Sequence, residues 1–282
     1  MVFLKTFVVV ALALLLGGQG GAAEWRWGGK VAVVTGASSG IGAGIALALA
    51  DKGVTVVGLA RREDKIKFMY ILPQELAART NGTIVAMKCD MFNEEEILNV
   101  FRDIENNLGG VDILVNNAVC YPIPDGNTSD WIQVMNLNVI ALSIATREAL
   151  KSMRTRGDDG HIININSIGG HQVPRFLGSN TGIYPASKYA VTALTETLSY
   201  ELSELNSNIK VSNVSPGLVK TELIQKLIDE FNAKNMTLAF NTMNSIEPAD
   251  VADGILFILS TRPNVQVPEL TIQPIGSRLC SS

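Results

Sequence analysis

A short apolar run, Lys30-Val-Ala-Val-Val-Thr35, passes directly into Gly36-Ala-Ser-Ser-Gly40-Ile-Gly42, and few folds accommodate that junction. The run is β-branched and almost free of polar residues, as a strand buried on both faces must be. Beyond the glycines, Ile45, Leu47, Leu49 and several alanines read as a helix. Strand, glycine-rich turn and helix together form the arrangement that receives a dinucleotide pyrophosphate. Glycines let the backbone turn tightly and approach the phosphates, and the helix N-terminus offers N–H groups and a positive dipole end. The spacing here is Gly-x3-Gly-x-Gly. Glycines also end strands and open helices in sheets that bind nothing, so further residues must decide the matter.

The rest of the chain repeats the alternation. Strand-like runs at Thr55–Ala60, Thr83–Lys88, Asp112–Val115, His161–Asn166, Lys210–Val214 and Glu269–Gln273 are separated by helical candidates near 64–79, 93–108, 130–154, 184–207 and 248–260. That order predicts an α/β fold, a Rossmann-like doubly wound parallel sheet of about seven strands with helices on both faces. With 282 residues, 47% of them hydrophobic, the chain suits one large domain better than two. A net charge of −4 argues against nucleic acid or an anionic membrane as partner. No metal-ligand grouping stands out.

At the end of the second strand, a dinucleotide fold distinguishes its cofactors. An acidic residue there accepts from the ribose 2′-hydroxyl of NAD. This chain has Ala60-Arg61-Arg62, and a guanidinium presents a planar fork to phosphate. NADP(H) is therefore favoured over NAD(H), although Glu63 and Asp64 could partly neutralise the pair.

Tyr184-Pro-Ala-Ser-Lys188 puts a phenol and an ammonium four residues apart, on one face of a helix. A free tyrosine keeps its proton to about pH 10. A nearby ammonium favours the phenolate, so the pair reads as a tunable acid/base for an alcohol or carbonyl oxygen.

Thr35-Gly36-x3-Gly40-Ile-Gly42, Asn116-Asn117-Ala118, Ser167, Tyr184-x3-Lys188 and Pro216-Gly217 stand in one order along the chain. As a set they resemble the short-chain dehydrogenase/reductase family, in its single-domain group, over residues 28–276. Gly58-Leu-Ala-Arg-Arg62, Asn138-Val-Ile-Ala-Leu-Ser143, Gly160-His-Ile-Ile-Asn-Ile-Asn-Ser167 and Leu270-Thr-Ile-Gln-Pro-Ile-Gly276 look like insect farnesol dehydrogenases and a related group acting on steroids and other carbonyl compounds.

The resemblance implies four catalytic positions. Tyr184 would be the acid/base, and Lys188 would lower its pKa and hold the nicotinamide ribose. Ser167 would hold the substrate oxygen, and Asn138 would fix a water linking Lys188 to solvent. On the cofactor side it implies Gly36, Ser38, Ser39, Gly40, Ile41 and Gly42 at the pyrophosphate, and Arg61 and Arg62 at the 2′-phosphate. Asp90 and Met91 would lie by the adenine, and Asn117 and Ala118 beside the adenosine. Pro216, Gly217, Val219 and Thr221 would close around the nicotinamide end. Residues 218–245 would form a lid, whose apolar side chains favour a lipophilic alcohol or carbonyl substrate. A homodimer or homotetramer is implied by the same analogy.

Two positions depart from the family pattern: Val119 replaces the usual glycine after Asn-Asn-Ala, and Asn166 precedes Ser167 where serine is common. Val119 motivates a competing reading, a non-catalytic dinucleotide-binding sensor with a degenerate site. A sugar epimerase or dehydratase is disfavoured, because the C-terminal part is too short for an added substrate domain.

Residues 1–23 stand apart from the fold. Lys5, the apolar run Phe7 to Leu16 and the small residues up to Ala23 have the marks of a signal peptide, too short to span a bilayer. The expected compartment is the secretory route, either outside the cell or in the endoplasmic reticulum lumen. The alternatives are an uncleaved anchor, or a cytoplasmic protein preceded by an artefactual start. Asn81, Asn127 and Asn235 lie in glycosylation sequons. Cys89, Cys120 and Cys280 give an odd total and no disulfide framework. Phe68 to Leu72 before Pro73 reads as a helix break, and residues 277–282 as a tail.

Overall fold

A computed structural model describes residues 25–71, 82–121, 127–173, 182–230 and 244–276. The first segment, the break at Pro73, the sequons at Asn81 and Asn235, the middle of the lid, Cys280 and the tail lie outside the described residues.

Strand β1 (Val31–Thr35) is buried along its whole length. It is followed by β2 (Thr55–Ala60), β3 (Thr83–Lys88), β4 (Ile113–Asn116), β5 (Asp159–Ile165), β6 (Asn208–Pro216) and β7 (Glu269–Ile272). These strands form one seven-stranded sheet of order β3-β2-β1-β4-β5-β6-β7, with every neighbouring pair parallel. The doubly wound sheet predicted by the alternation is therefore present. Strand ends differ by a residue or two, most at β6, which pairs on one side with β5 and on the other with β7.

Parallel neighbours require crossovers, and the helices supply them on both faces. They are α1 (Gly40–Asp51), α2 (Glu63–Ile71), α3 (Glu94–Leu108), α4 (Thr128–Met135), α5 (Leu142–Thr155), α6 (Tyr184–Glu204), α7 (Glu222–Glu230) and α8 (Pro248–Ser260). Alternate residues of β1 serve the two sides. Ala32 and Val34 pack with Ile45 and Leu49 of α1 and Ile255 and Ile258 of α8. Val31 and Val33 pack with Phe101 of α3, Ala145 and Met153 of α5 and Leu202 of α6. Trp27 closes the first layer, its indole Nε1 donating to the Leu259 carbonyl at 2.9 Å.

Local signals set several helix ends. Asn93 caps α3 by accepting from the N–H groups of Glu95 and Glu96, and Gly109, at φ 80°, ends it. The single helix expected over 130–154 is wound differently. It comprises α4, a wider π-helical turn over Asn136–Ala141, and α5. Asn138 sits on that wide turn, where its side chain binds groups outside the helix, as π turns at functional sites often allow. No described helix is long and apolar enough to cross a membrane.

The strand order reverses between β1 and β4, which leaves a crevice at their C-terminal ends.

Candidate active site

Thr35, the last residue of β1, organises one side of this crevice. Its Oγ1 accepts from the N–H groups of Asn117 and Ala118, each at 2.9 Å. The Asn117 amide returns the contact, donating to the carbonyls of Thr35 at 2.9 Å and Gly36 at 3.3 Å. The β4 end is thus tied to the glycine turn. Gly36 has φ +69°, and a Cβ there would lie 3.0 Å from the Ala118 Cα. At Gly42 a Cβ would lie 2.5 Å from the Gly36 carbonyl oxygen, so only glycine lets α1 press against the turn. Ser39 stands at the N-cap of α1 without a side-chain cap bond, so no side chain of its own caps the helix N-terminus.

The crevice opens into a cleft of about 610 Å³. One wall is Gly36 with Ser38 to Ile41, and the next is Leu59 to Arg62 from the end of β2. Cys89, Asp90, Met91 and Phe92 follow from β3, and Asn117, Ala118 and Val119 from β4. Leu137, Thr221 to Leu223 and Lys226 complete it. Most of the residues expected at the cofactor therefore face one space: Gly36, Ser38, Ser39, Gly40, Ile41, Arg61, Arg62, Asp90, Met91, Asn117, Ala118 and Thr221. Gly42, Pro216, Gly217 and Val219 do not line it. Gly42 is packed beneath the turn. Val219 is in the core and bridges Ile246, and the Gly217 N–H donates to the Ile272 carbonyl at 2.8 Å.

Arg62 does not stand alone. Its Nη2 lies 3.6 Å from Oε2 of Glu222, and the Lys65 ammonium donates to Oε1 of the same carboxylate at 3.1 Å. Those cations hold the Glu222 carboxyl below the ordinary range, the Lys65 hydrogen bond being the larger cause. Val119 takes no positive φ, so this backbone does not need a glycine there. Its side chain lines the cleft.

Deeper along the sheet edge, the four residues expected to be catalytic converge. Tyr184 opens α6, with Lys188 one turn further along. Ser167 follows β5 and caps a short 3-10 turn, its Oγ accepting from the Gly169 N–H at 3.0 Å. Ser167 also favours the phenolate of Tyr184. The Lys188 ammonium is buried, donates to the Ile165 carbonyl at 2.8 Å and lies 5.8 Å from the centre of the Tyr184 ring. Asn138 binds the backbone of Cys120 in both directions, accepting from its N–H at 3.0 Å and donating to its carbonyl at 3.1 Å. The same amide donates to Ser187 Oγ at 3.0 Å, and that hydroxyl donates to the Tyr184 carbonyl at 2.7 Å. The described bonds of the Asn138 side chain thus go to loop and helix, not to Lys188. Asn166, in the place where serine is common, donates to Thr192 Oγ1 at 2.8 Å and ties β5 to α6.

One expectation is corrected here. The Tyr184/Lys188 spacing predicts a phenol pKa moved down by the ammonium. Burial instead pushes Tyr184 up to about 12, with only the Ser167 hydrogen bond opposing it. Burial also pulls Lys188 down to about 8. Desolvation here outweighs a cation engaged by a carbonyl.

Sequence reasoning missed Tyr121. Its ring stacks on that of Tyr184 with centroids 4.2 Å apart and planes at 30°. Nor did it single out Glu222 or Lys226, because nothing local marks a helix residue as facing a cleft built by other strands. Among the described residues, no group of three or more His, Cys, Asp or Glu could hold a metal ion.

A glycine-cradled crevice at a sheet's switch point, with a Ser/Tyr/Lys cluster beside it, defines a dinucleotide-dependent oxidoreductase. The sequence profile of the family described as short chain dehydrogenase matches residues 30–232, and this chain belongs to the short-chain dehydrogenase/reductase family. It is an oxidoreductase of that family, acting on an alcohol/carbonyl pair. It is 45% identical over 258 residues to Dehydrogenase/reductase SDR family member 11 of Bos taurus, covering 88% of this chain and 97% of the relative. It is also 45% identical over 258 residues to a Farnesol dehydrogenase of Aedes aegypti, covering 90% and 99%. Among solved structures, a metagenomic short-chain oxidoreductase in complex with NADP superimposes with TM-score 0.69 at 27% identity, covering 88% of this chain and 98% of that one.

Proposed function

We propose that this protein is an NADP(H)-dependent dehydrogenase/reductase of a lipophilic alcohol/carbonyl pair, such as a farnesol-like isoprenoid alcohol, a steroid or another carbonyl compound. The observation that carries it is the grouping of Ser167, Tyr184 and the buried Lys188 on the same sheet that bears the glycine-cradled cleft. The residues suit the dinucleotide. A Cβ at Gly36 or Gly42 would crowd the turn, α1 has no side-chain cap, and Arg61 and Arg62 stand at the end of β2. Ser38, Ser39 and Ile41 would hold the pyrophosphate, Asp90 and Met91 the adenine side, and Arg61 and Arg62 the 2′-phosphate. When bound, the dinucleotide supplies or takes the hydride.

The chain's own residues handle the proton. Ser167 Oγ positions the substrate oxygen against the phenol, and Tyr184 exchanges a proton with it. With its pKa at about 12, Tyr184 is protonated at neutral pH, as a donor to a carbonyl oxygen must be. Lys188, held by the Ile165 carbonyl, keeps a cation behind the ring. Asn138 fixes the Cys120 backbone and, through Ser187, the first turn of α6 that carries Tyr184.

A homodimer or homotetramer belongs to the same reading, supported by exposed Trp131, Ile132 and Ile140 around α4 and by Leu194 and Tyr200 on α6. Secretory targeting rests on residues 1–23 alone.

The test is Tyr184→Phe assayed by NADPH oxidation over a panel of lipophilic ketones and aldehydes, with cofactor affinity measured separately. Turnover falls by about 10²–10⁴-fold while NADPH binding persists. A wild type inert to every carbonyl compound while binding NADPH sinks the proposal. A second titration with NADH checks the cofactor: a clear preference for NADH removes Arg61 and Arg62 from their assigned role.

A further inference from the structure

Tyr121 has no part in the proton exchange described above, yet its surroundings are unusual for a loop residue. Its ring lies against the Tyr184 ring, with centroids 4.2 Å apart. Its hydroxyl is buried and has no hydrogen-bond partner. Burial raises its pKa, with the Tyr184 phenol adding to the effect, so it carries its proton at any ordinary pH. The segment that bears it is not loosely placed: the preceding residue, Cys120, is bound at both N–H and carbonyl by Asn138.

A buried phenol normally finds a partner, because a hydroxyl stripped of water and left unmatched is costly. Stacking alone does not account for this one, since a phenylalanine would stack equally well and leave nothing unmatched. The other enclosed side-chain atoms without a partner among the described residues, Asn116 Oδ1, His161 Nδ1, Asn166 Oδ1 and Glu269 Oε1, each belong to a side chain whose second polar atom is paired. The Tyr121 hydroxyl differs because it is the only polar atom of its side chain and its ring packs on the ring of Tyr184 itself.

We infer that Tyr121 is a substrate-specificity residue, whose hydroxyl donates to a second oxygen of the substrate while Ser167 and Tyr184 take the reacting one. This rests on the reading of Tyr184 as the acid/base and narrows its substrate class. The preferred substrates are dioxygenated lipophilic compounds, diketones or hydroxyketones, rather than simple alcohols or ketones with one oxygen. A site built to pair a hydroxyl discriminates against an analogue that leaves the hydroxyl unpaired.

Tyr121→Phe keeps the stacked ring and removes only the hydroxyl. The probes are undecan-2-one, undecane-2,3-dione and undecane-2,4-dione, with kcat/KM read from NADPH consumption. The variant loses about tenfold on at least one diketone and stays within about twofold of wild type on the monoketone, as expected for one neutral hydrogen bond made only with the second oxygen. Equal losses on all three compounds, or no loss on either diketone, overturn the inference and leave the assignment of Tyr184 standing. A wild type that reduces none of them while binding NADPH overturns this inference, and one inert to every carbonyl compound overturns the assignment of Tyr184 as well. Tyr121→Leu serves as the second variant: it removes the stack too, and its effect extends to the monoketone.

Discussion

Asn138 holds Cys120 by both ends of its peptide, its Oδ1 accepting from the N–H at 3.0 Å and its Nδ2 donating to the carbonyl at 3.1 Å. A side chain that mimics a strand edge in this way fixes a loop without a strand being present. Replacing it with alanine strands two backbone groups and frees Ser187, so Asn138→Ala costs about 2–3 kcal/mol. In a chain of this size that lowers the melting temperature by about 4–10 °C. Differential scanning calorimetry measures it, and an unchanged melting temperature shows that the clamp carries no energy.

Gly42 predicts a local failure of the cradle. A methyl there meets the Gly36 carbonyl oxygen at 2.5 Å, and neither backbone can retreat without moving α1 off the turn. Gly42→Ala costs about 1–3 kcal/mol by overpacking. NADPH affinity, followed by fluorescence titration, falls more than the stability loss alone accounts for. Wild-type affinity in the variant contradicts the close approach.

Glu222 sits on Arg62, one of the two cations expected to meet a 2′-phosphate, and on Lys65 beside it. Arg62 and Lys65 pair with it at 3.6 and 3.1 Å, on side chains roughly half exposed. Such pairs are worth about 0.2–1 kcal/mol. Glu222→Gln releases both cations and tightens NADPH by about two- to fivefold, leaving NADH unchanged. Isothermal titration with each cofactor decides it, and an equal change for both would falsify the link to the 2′-phosphate.

Lys188 makes stability depend on pH in a particular direction. Its pKa falls to about 8 in the fold from the usual 10.5. Between those values the unfolded chain carries a proton there that the folded chain lacks, so the folded state gains as pH rises through this window. Below about 8 the cost of the buried charge is felt in full. Lys188→Met removes that cost together with the bond to the Ile165 carbonyl. Its stability relative to wild type is therefore most favourable near pH 7 and declines steadily toward pH 10.5. Thermal melts of both proteins across that range test the slope. A difference that grows with pH contradicts it.

Much of the fold was legible because its signals are short. Five buried residues of β1 alternate between two packed layers, and a run of apolar β-branched residues announces a strand without knowledge of its neighbours. The glycine turn and the Tyr184/Lys188 spacing are local in the same sense, and both lie where they were expected. The tyrosine's proton affinity was not legible. The four-residue spacing puts a cation near the phenol, but the direction of the shift is set by enclosure, to which the whole sheet edge contributes. The π turn at Asn136–Ala141 was hidden for a similar reason, since an ordinary amphipathic pattern runs through it and the partners of Asn138 lie on another loop.

The order of residues along the chain by itself determined the parallel sheet, the glycine turn after β1 and the placing of Tyr184 and Lys188 one turn apart on a helix. Each depends on side-chain pattern and backbone freedom within about ten residues. Only the tertiary structure decided that Glu222 would meet Lys65 across 157 positions, that Tyr121 would lie flat on Tyr184, and that burial would outweigh charge at the phenol. Those are contacts and solvent exclusion between elements far apart in the chain, and they exist only once the helices have closed over the sheet.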